Sequence, residues 1–404
     1  MSNNNIPVIM VYGSDGVTLG VARSLGEKNI PVKLINWYKH TPANYSKYVE
    51  PLIFPNPNDN EKEFIDALIS YGESLHENYG RRLLLIPSAD NALLTLSDHY
   101  HELVKHFIIL GDPTEKGGIE QYIRKDHFFE TVKNADLPTP LTIACLNEED
   151  IDYAVKNVPY PCVVKPIIKD LNFSFFDRYN AKAIEFDSPE TLYPILSELI
   201  REGYEVLVQE KIPGNYGVNT LDFYSNRDGD IIAAYASFQA RQDRPQYGTC
   251  TIMESLWIPE LFEYGKKIIK DLNYWGMGTL EYKKDPRDGK YKFIELNVRP
   301  VLSIYKVTGG GVNIPYIGYQ DVYKTADYDK NSVVTPSPET NGLRWIRMYD
   351  DLQVVMKWDE NFHNRMKMFL STFQGKRVHN IFSYNDPIPV IVQTLLTLIG
   401  KAPP

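Results

Sequence analysis

Apolar runs of strand length open the chain. Residues 6–12, 32–35, 82–86 and 107–110 are almost wholly apolar, and between them apolar positions recur at helical spacing near 17–27, 61–77 and 91–104. Alternating strands and helices predict a parallel sheet covered by helices on its faces. Residues 111–205 change character. Lys125-Asp-His-Phe-Phe-Glu130 opens a helix with Asp126 in its first turn, Leu137-Pro-Thr-Pro140 breaks into an extended segment, and Ser188-Pro-Glu190 starts a helix reaching about Arg201. Residues 205–300 are rich in strands, with one helix over 259–272. Residues 333–341, carrying Pro336 and Pro338, read as a linker or an extended crossing segment. The run 388–399 is strongly apolar behind Pro387 and Pro389. At about a dozen residues it is too short to cross a bilayer, which takes ~20. It is expected to dock as a C-terminal helix. A membrane-surface helix is the alternative, and the run lacks the rich basic face of such helices.

At 404 residues, 43% hydrophobic and 24% charged, the chain has room for two or three domains with buried cores. A net charge of −9 argues against nucleic acid as the partner. Cys145, Cys162 and Cys250 are odd in number and far apart, giving neither a disulfide framework nor metal-ligand spacing. The start, Met-Ser-Asn-Asn-Asn, lacks the basic and apolar regions of a signal peptide, so cytoplasm is the expected location. Neither His-Glu-x-x-His nor Gly-x-Ser-x-Gly occurs, which removes support for a zinc or serine hydrolase. Gly13, Gly16 and Gly20 follow the first strand without the Gly-x-Gly-x-x-Gly spacing, and a nicotinamide-dependent oxidoreductase would rest on them alone. Gly13-Ser-Asp-Gly16 reads either as an anion-holding turn at a helix N-terminus or as a tight turn made for close packing.

The richest chemistry lies in Phe293-Ile-Glu295-Leu-Asn297-Val-Arg299-Pro300. On a strand Glu295, Asn297 and Arg299 project from one face. Glu281 sits in a second alternating run, and Asp285-Pro-Arg-Asp-Gly289 between the two suits a hairpin turn. Pairing the strands sets two carboxylates, an amide oxygen and a guanidinium on one patch. Hard oxygen ligands of that kind suit Mg²⁺, and the arginine suits a phosphate or carboxylate. A solvated strand face is the competing reading of Glu-x-Asn-x-Arg taken alone. Upstream, Val163-Val-Lys165-Pro166 is an apolar strand ending in lysine, and Leu207-Val-Gln209-Glu210-Lys211-Ile212-Pro213-Gly214 is another that breaks at Pro-Gly.

That ordered set resembles the ATP-grasp superfamily, in which two α+β lobes hold ATP between them. The likeness runs from about Lys125 to Arg299. Residues 1–320 are also similar in texture to the carboxylate–amine ligase branch that includes the D-aspartate ligases, through Leu84-Leu-Ile-Pro87-Ser-Ala-Asp90, Asp285–Arg299 and the Gly309-Gly-Gly311 segment. The resemblance implies a mixed α/β and α+β architecture in four parts. Residues 1–112 form a Rossmann-like, substrate-side parallel-sheet domain, 113–205 the central ATP-grasp lobe, and 206–330 the C-terminal lobe with the metal site. Residues 331–404 are an extension without an assigned role.

It further implies ATP and Mg²⁺ as cofactors, with Mn²⁺ as a substitute, and a homodimer. Lys125 and Lys165 would contact the α/β phosphates. Adenine would lie along Gln209–Ile212, read by the backbone of Lys211 and Ile212, with Glu210 near its exocyclic amine. Glu281, Glu295 and Asn297 would hold metal. Arg241 would contact the triphosphate or acyl phosphate, and Arg299 the donor carboxylate or transferred phosphate. The activity implied is amide formation between an amino acid, with D-aspartate as first expectation, and the amine of a peptide or cell-envelope precursor. Each lysine, Glu210 and Arg244 also reads as an ordinary surface or strand-end residue. One departure stands out. ATP-grasp enzymes often close a glycine-rich flap over the phosphates, whereas 167–180 has no glycine and offers Asn172, Phe173, Ser174, Phe175 and Phe176 instead. A nucleotide-binding regulatory or scaffold protein without turnover is therefore the alternative reading.

Overall fold

The structure is a computed structural model that describes residues 6–168, 174–214, 217–244, 247–329, 332–358 and 361–400. Its first 110 residues build a five-stranded parallel sheet from β1 (Val8–Val11), β2 (Val32–Asn36), β3 (Val49–Ile53), β4 (Leu83–Pro87) and β5 (Phe107–Ile109), in the order β3-β2-β1-β4-β5. Every residue of β1 and β4 is buried, because helices cover both faces of the central strands. The helical spacing at 17–27 and 61–77 becomes the helices Asp15–Gly26 and Glu61–Tyr79. That at 91–104 splits at His99 into Asp90–Asp98 and Tyr100–Leu103. Strand β3 carries no apolar-run signal. It is an edge strand with largely exposed side chains, and Pro51, which cannot donate to a ladder, is tolerated there.

The central lobe is an antiparallel sheet of β6 (Thr142–Cys145), β7 (Cys162–Pro166), β8 (Ile184–Phe186) and β9 (Val206–Glu210), in the order β6-β9-β7-β8. Helices Glu149–Asn157 and Pro189–Arg201 pack on it around Cys162, Val164, Leu192, Leu196, Val206 and Val208. Cys162 is the expected core thiol, and burial pushes its pKa up to about 12. Because β9 pairs with β7 and β6, a boundary at 205/206 cuts through this sheet.

The third sheet has seven strands: β10 (Asn219–Ser225), β11 (Ile231–Gln242), β12 (Cys250–Ser255), β13 (Gly276–Lys284), β14 (Tyr291–Asn297), β15 (Arg344–Ile346) and β16 (Arg377–His379), ordered β14-β13-β10-β11-β12-β15-β16. Helix Pro259–Leu272 fills one face, with Leu261, Ile268 and Ile269 packed among Leu221, Leu280 and Phe293. The opposite face is left for the polar groups described below. Described parts of the 331–404 extension belong to this sheet. Val334 bridges to Ala233, β15 and β16 extend the sheet, and Trp345 is completely buried. Helix Ile388–Leu398 docks through Pro389 against the turn Pro42–Tyr45, as a docked C-terminal helix should.

The turn joining β13 to β14 is stapled by Asp285. Its fully buried carboxylate accepts from Arg287 Nη2 at 2.5 Å and Lys292 Nζ at 2.7 Å, while Gly289 takes the left-handed φ of +74° that closes the turn. The hydrogen bond from Arg287, aided by Lys292, holds the Asp285 carboxyl far below the ordinary carboxylate range. Asp285→Asn is expected to destabilise the protein by about 1–3 kcal/mol at neutral pH. The folded-state pKa is depressed, so the stabilisation is present above the unfolded value near 3.9 and lost as pH falls toward the folded one. Urea melts should therefore show a smaller gap between wild type and variant at acid pH than at neutral pH. A gap of equal size at both would remove the carboxylate from the account.

Candidate active site

Strand alternation sets the centre of the site. Glu281 on β13 lies directly opposite Glu295 on β14, and Thr279 opposite Asn297, all on the sheet face away from helix Pro259–Leu272. A register shift between Glu281 and Tyr282 keeps the tilted rings of Tyr282 and Phe293 packed in the core, 4.6 Å apart, while both glutamates stay on the polar face. The Asn297 amide donates to Glu281 Oε1 at 3.3 Å. Burial pushes the Glu281 carboxyl up to about 7, and the like charge of Glu295 adds to this. Lys182, Lys165 and Arg299 pull it partly back. Two neighbouring carboxylates of which one resists ionisation, with an amide oxygen alongside, form an oxygen donor set that a divalent cation relieves. Among the described residues no group of three or more His, Cys, Asp or Glu gathers.

Both predicted lysines reach this patch. Lys125 opens helix Lys125–Asn134, where its Nζ donates to Pro166 O and Ile167 O and lies 3.8 Å from Glu295 Oε1. Lys165, near the end of β7, donates to Ile294 O at 3.1 Å and sits 5.0 Å from the centre of the Phe129 ring. Burial lowers its pKa to about 8 against the opposing pull of Glu295. β7 and helix Lys125–Asn134 thus close on β14 from the central lobe.

Arg299 meets the first domain. Its Nε and Nη2 each donate to one carboxylate oxygen of Asp90 at 2.6 Å, a bidentate pair, and its Nη1 donates to Pro300 O. Asp90 starts the helix that follows β4, so the C-terminal end of the parallel sheet faces the polar patch. Ser88 turns inward to a hydrogen bond with Thr18 at 3.0 Å. At 13–16 the packing reading fits best. A Cβ at Gly13 would come within 2.4 Å of the Ala89 methyl, and the turn's own Asp15 is a buried carboxyl bonded to Ala43 N and Tyr12 Oη. Burial raises the Asp15 pKa to about 6.

Other predicted residues have different company. Arg241 spends its donors on Asp351 (2.6 Å), Thr372, Met368 O and Ser371, so the structure joins it to the C-terminal helices and not to the carboxylate pair. Buried Gln209 points across to Thr142. Glu210 accepts from Leu141 N and pairs with Arg287 at 2.6 Å. Lys211 pairs with Glu185, and Ile212 O accepts from Lys283. A cleft of about 360 Å³ opens at this bend, lined by Tyr160, Pro161, Glu210, Lys211, Pro213 and Arg287 among others, and by none of the residues of the carboxylate patch. Arg244 lies over the Phe176 ring and donates to Asn180, tying the β11–β12 connection to the central lobe. Of the glycine-free segment, Phe175 is a core residue against Tyr179 and Tyr204 and not a cover for the site. Asn172, Phe173 and the Ser174 side chain lie outside the described residues.

Two features escaped the sequence reading. Lys182, just before β8, draws the Glu281 pKa down by its charge and donates to Thr249 at 3.3 Å, but nothing distinguishes one lysine in Asn180-Ala-Lys182-Ala. Asp222 and Lys306 form a fully buried pair at 2.9 Å, with Thr279 donating to Asp222, one step along the face from Glu281. An acid inside the apolar run Leu221-Asp222-Phe223 was the available signal.

This arrangement has known counterparts. The chain is 26% identical over 373 residues to a D-aspartate ligase of Enterococcus faecium (strain Aus0004), covering 87% of this chain and 86% of that one. Its fold matches an L-amino acid ligase from Bacillus licheniformis with a TM-score of 0.57 at 12% identity, over 79% of this chain and 74% of the other. The chain has the ATP-grasp fold. The biotin carboxylase domain dimer of a Hydrogenobacter thermophilus 2-oxoglutarate carboxylase, in complex with MgADP and bicarbonate, matches with a TM-score of 0.54 at 18% identity, over 80% of this chain and 70% of that one. No family profile matches the chain. The ATP-grasp frame explains why the patch lies where two sheets converge. No helix among the described residues is long and apolar enough to cross a membrane.

Proposed function

We propose that the protein is an ATP- and Mg²⁺-dependent carboxylate–amine ligase that works through an acyl phosphate and releases ADP and phosphate. The observation that carries this reading is the pairing of Glu281 with Glu295 and Asn297, faced by Lys125, Lys165 and Arg299, on an ATP-grasp frame. A free carboxylate is a poor electrophile, and phosphorylation gives it a leaving group that an amine can displace. The obstacle is the negative charge of triphosphate and carboxylate, which fixed cations offset where it develops.

In this reading Glu281, Glu295 and Asn297 hold Mg²⁺, which when bound draws charge from the phosphate oxygens. Lys125 and Lys165 bind phosphates from the central lobe. Adenine is assigned to the Gln209–Ile212 edge, chiefly to the backbone of Lys211 and Ile212. Arg299, held in plane by Asp90, orients the acyl-donor carboxylate. The relative suggests an acidic amino acid as donor, D-aspartate first, and a peptide or cell-envelope precursor amine as acceptor.

The test is coupled ADP release over L- and D-amino acids, with and without candidate amines, followed by mass spectrometry. ADP formation that depends on one amino acid and one amine, with a product lighter than their sum by one water, is expected. The glycine-free 167–180 segment supports a second reading, a nucleotide-binding regulator, and tight MgATP binding without ADP across the whole panel would favour it.

A further inference from the structure

Among the described residues, more than half of the large apolar side chains left exposed lie between Tyr349 and Ile399. The clearest group is on helix Phe362–Thr372. Phe362 (71% exposed), Met366 (41%) and Leu370 (57%) recur every fourth residue, and Phe373 continues the line, so they form one stripe. Helix Met348–Trp358, packed beside it, adds Leu352 and Met356. The inner side of this helical pair is fixed, because Thr372 and Asp351 bind each other and Arg241. An apolar stripe on a well-fastened element calls for a partner.

Charge narrows the choice. From Met348 to the end the sequence has six Lys and Arg against five acids, in a chain whose net charge is −9, and two of those acids are already taken, Asp351 by Arg241 and Asp350 by Arg347. Asp386 is buried against Arg23 and does not offset the surface. Lys367, Lys376 and Arg377 are exposed next to the stripe. Aromatic and aliphatic side chains rimmed by cations match a surface that is apolar within and anionic at its face. We infer that this helical pair docks the protein on an anionic phospholipid bilayer, with the stripe at the headgroup–acyl boundary and the three cations on lipid phosphates. A second copy bound isologously through the same face would bring Lys367, Lys376 and Arg377 toward their own counterparts, which opposes that pairing. Helix Ile388–Leu398 is also apolar on its exposed side, but it carries no charge and cannot by itself select anionic lipid. The inference stands independently of the ligase reading.

The full chain is mixed with phosphatidylcholine vesicles, with or without phosphatidylglycerol, and floated through a density gradient. Wild type should float with the phosphatidylglycerol vesicles and be weakened about tenfold or more by omitting that lipid or by raising salt. The triple variant Lys367→Glu, Lys376→Glu, Arg377→Glu should lose the preference for anionic lipid, and Phe362→Ser with Leu370→Ser should lose flotation. Unchanged thermal melts would show both variants to be folded. Failure of wild type to float with either vesicle overturns the inference, as does unimpaired flotation of the serine variant. So does a wild-type dimer that the serine variant turns into a monomer while vesicle binding is unaffected, since the stripe would then be an interface between copies.

Discussion

Glu295→Ala is expected to cut substrate-dependent ADP release by about a thousandfold, close to 4 kcal/mol of transition-state stabilisation. Glu295 stands opposite Glu281 and 3.8 Å from Lys125, at the meeting point of the central lobe and β14. In the proposed reading, losing it removes one of the two carboxylates that would hold the metal and unbalances the cations that would surround the phosphates. The fold should not suffer. With no like charge across the pair, Glu281 ionises more readily, so the metal-free variant should melt no lower than wild type. Loss of activity with an unchanged melt separates a functional carboxylate from a structural one. Near-normal ADP formation by the variant would end the metal assignment.

Arg23→Ala should cost about 3–5 kcal/mol, a large share of a typical stability of about 5–15 kcal/mol. Arg23 is fully buried on the first helix, and its guanidinium, which lies over the Tyr305 ring, sends its hydrogen bonds to the far end of the chain. It donates to Asp386 Oδ2 at 3.0 Å, Ile381 O at 2.7 Å, Asp386 O at 3.2 Å and Asn380 O at 3.4 Å. Alanine leaves a buried carboxylate and three carbonyls without this donor. Asp386 would retain only Ser46 and Lys47 N. Urea denaturation measures the effect, and limited proteolysis should cut the variant first near 380–386. A loss below about 1 kcal/mol would mean that water enters and solvates the stranded groups.

Local pattern made the centre of the site legible. The hairpin around Asp285–Gly289, the alternation that puts Glu281, Glu295 and Asn297 on one face, and the lysine near the end of an apolar strand are all short-range properties of the chain. Glu281 and Glu295 are only fourteen residues apart. The parallel sheet was legible for the same reason, except for β3, whose Pro51 and exposed side chains erase the apolar signal. What local pattern could not show depends on distant partners. Arg241 follows an alternating strand as a phosphate-binding arginine could, but Asp351 and Thr372 arrive from more than a hundred residues away and claim it. Glu210 is likewise taken by Arg287 across the lobes. Phe175 reads as a cover for the site only while its neighbours are unknown, and Tyr204, which draws it inward, lies beyond the next helix. The role of 331–404 was not legible because an anchor of its last part, Asp386 to Arg23, joins opposite ends of the sequence.

The Asp90–Arg299 pair has a geometric consequence for whatever anion reaches the polar patch. A guanidinium is a flat plate with fixed donor directions, and here one edge is already locked by two 2.6 Å bonds to the first domain while Nη1 is tethered to Pro300 O. The plate cannot swivel to follow a guest. An incoming carboxylate must arrive in its plane and along the remaining edge, so the angle of approach is set before the two meet and little rotational freedom remains to be lost. The first domain, which contributes none of the candidate metal ligands, is thereby the compass of the candidate site: through Asp90 it would decide the direction in which a bound carboxylate points.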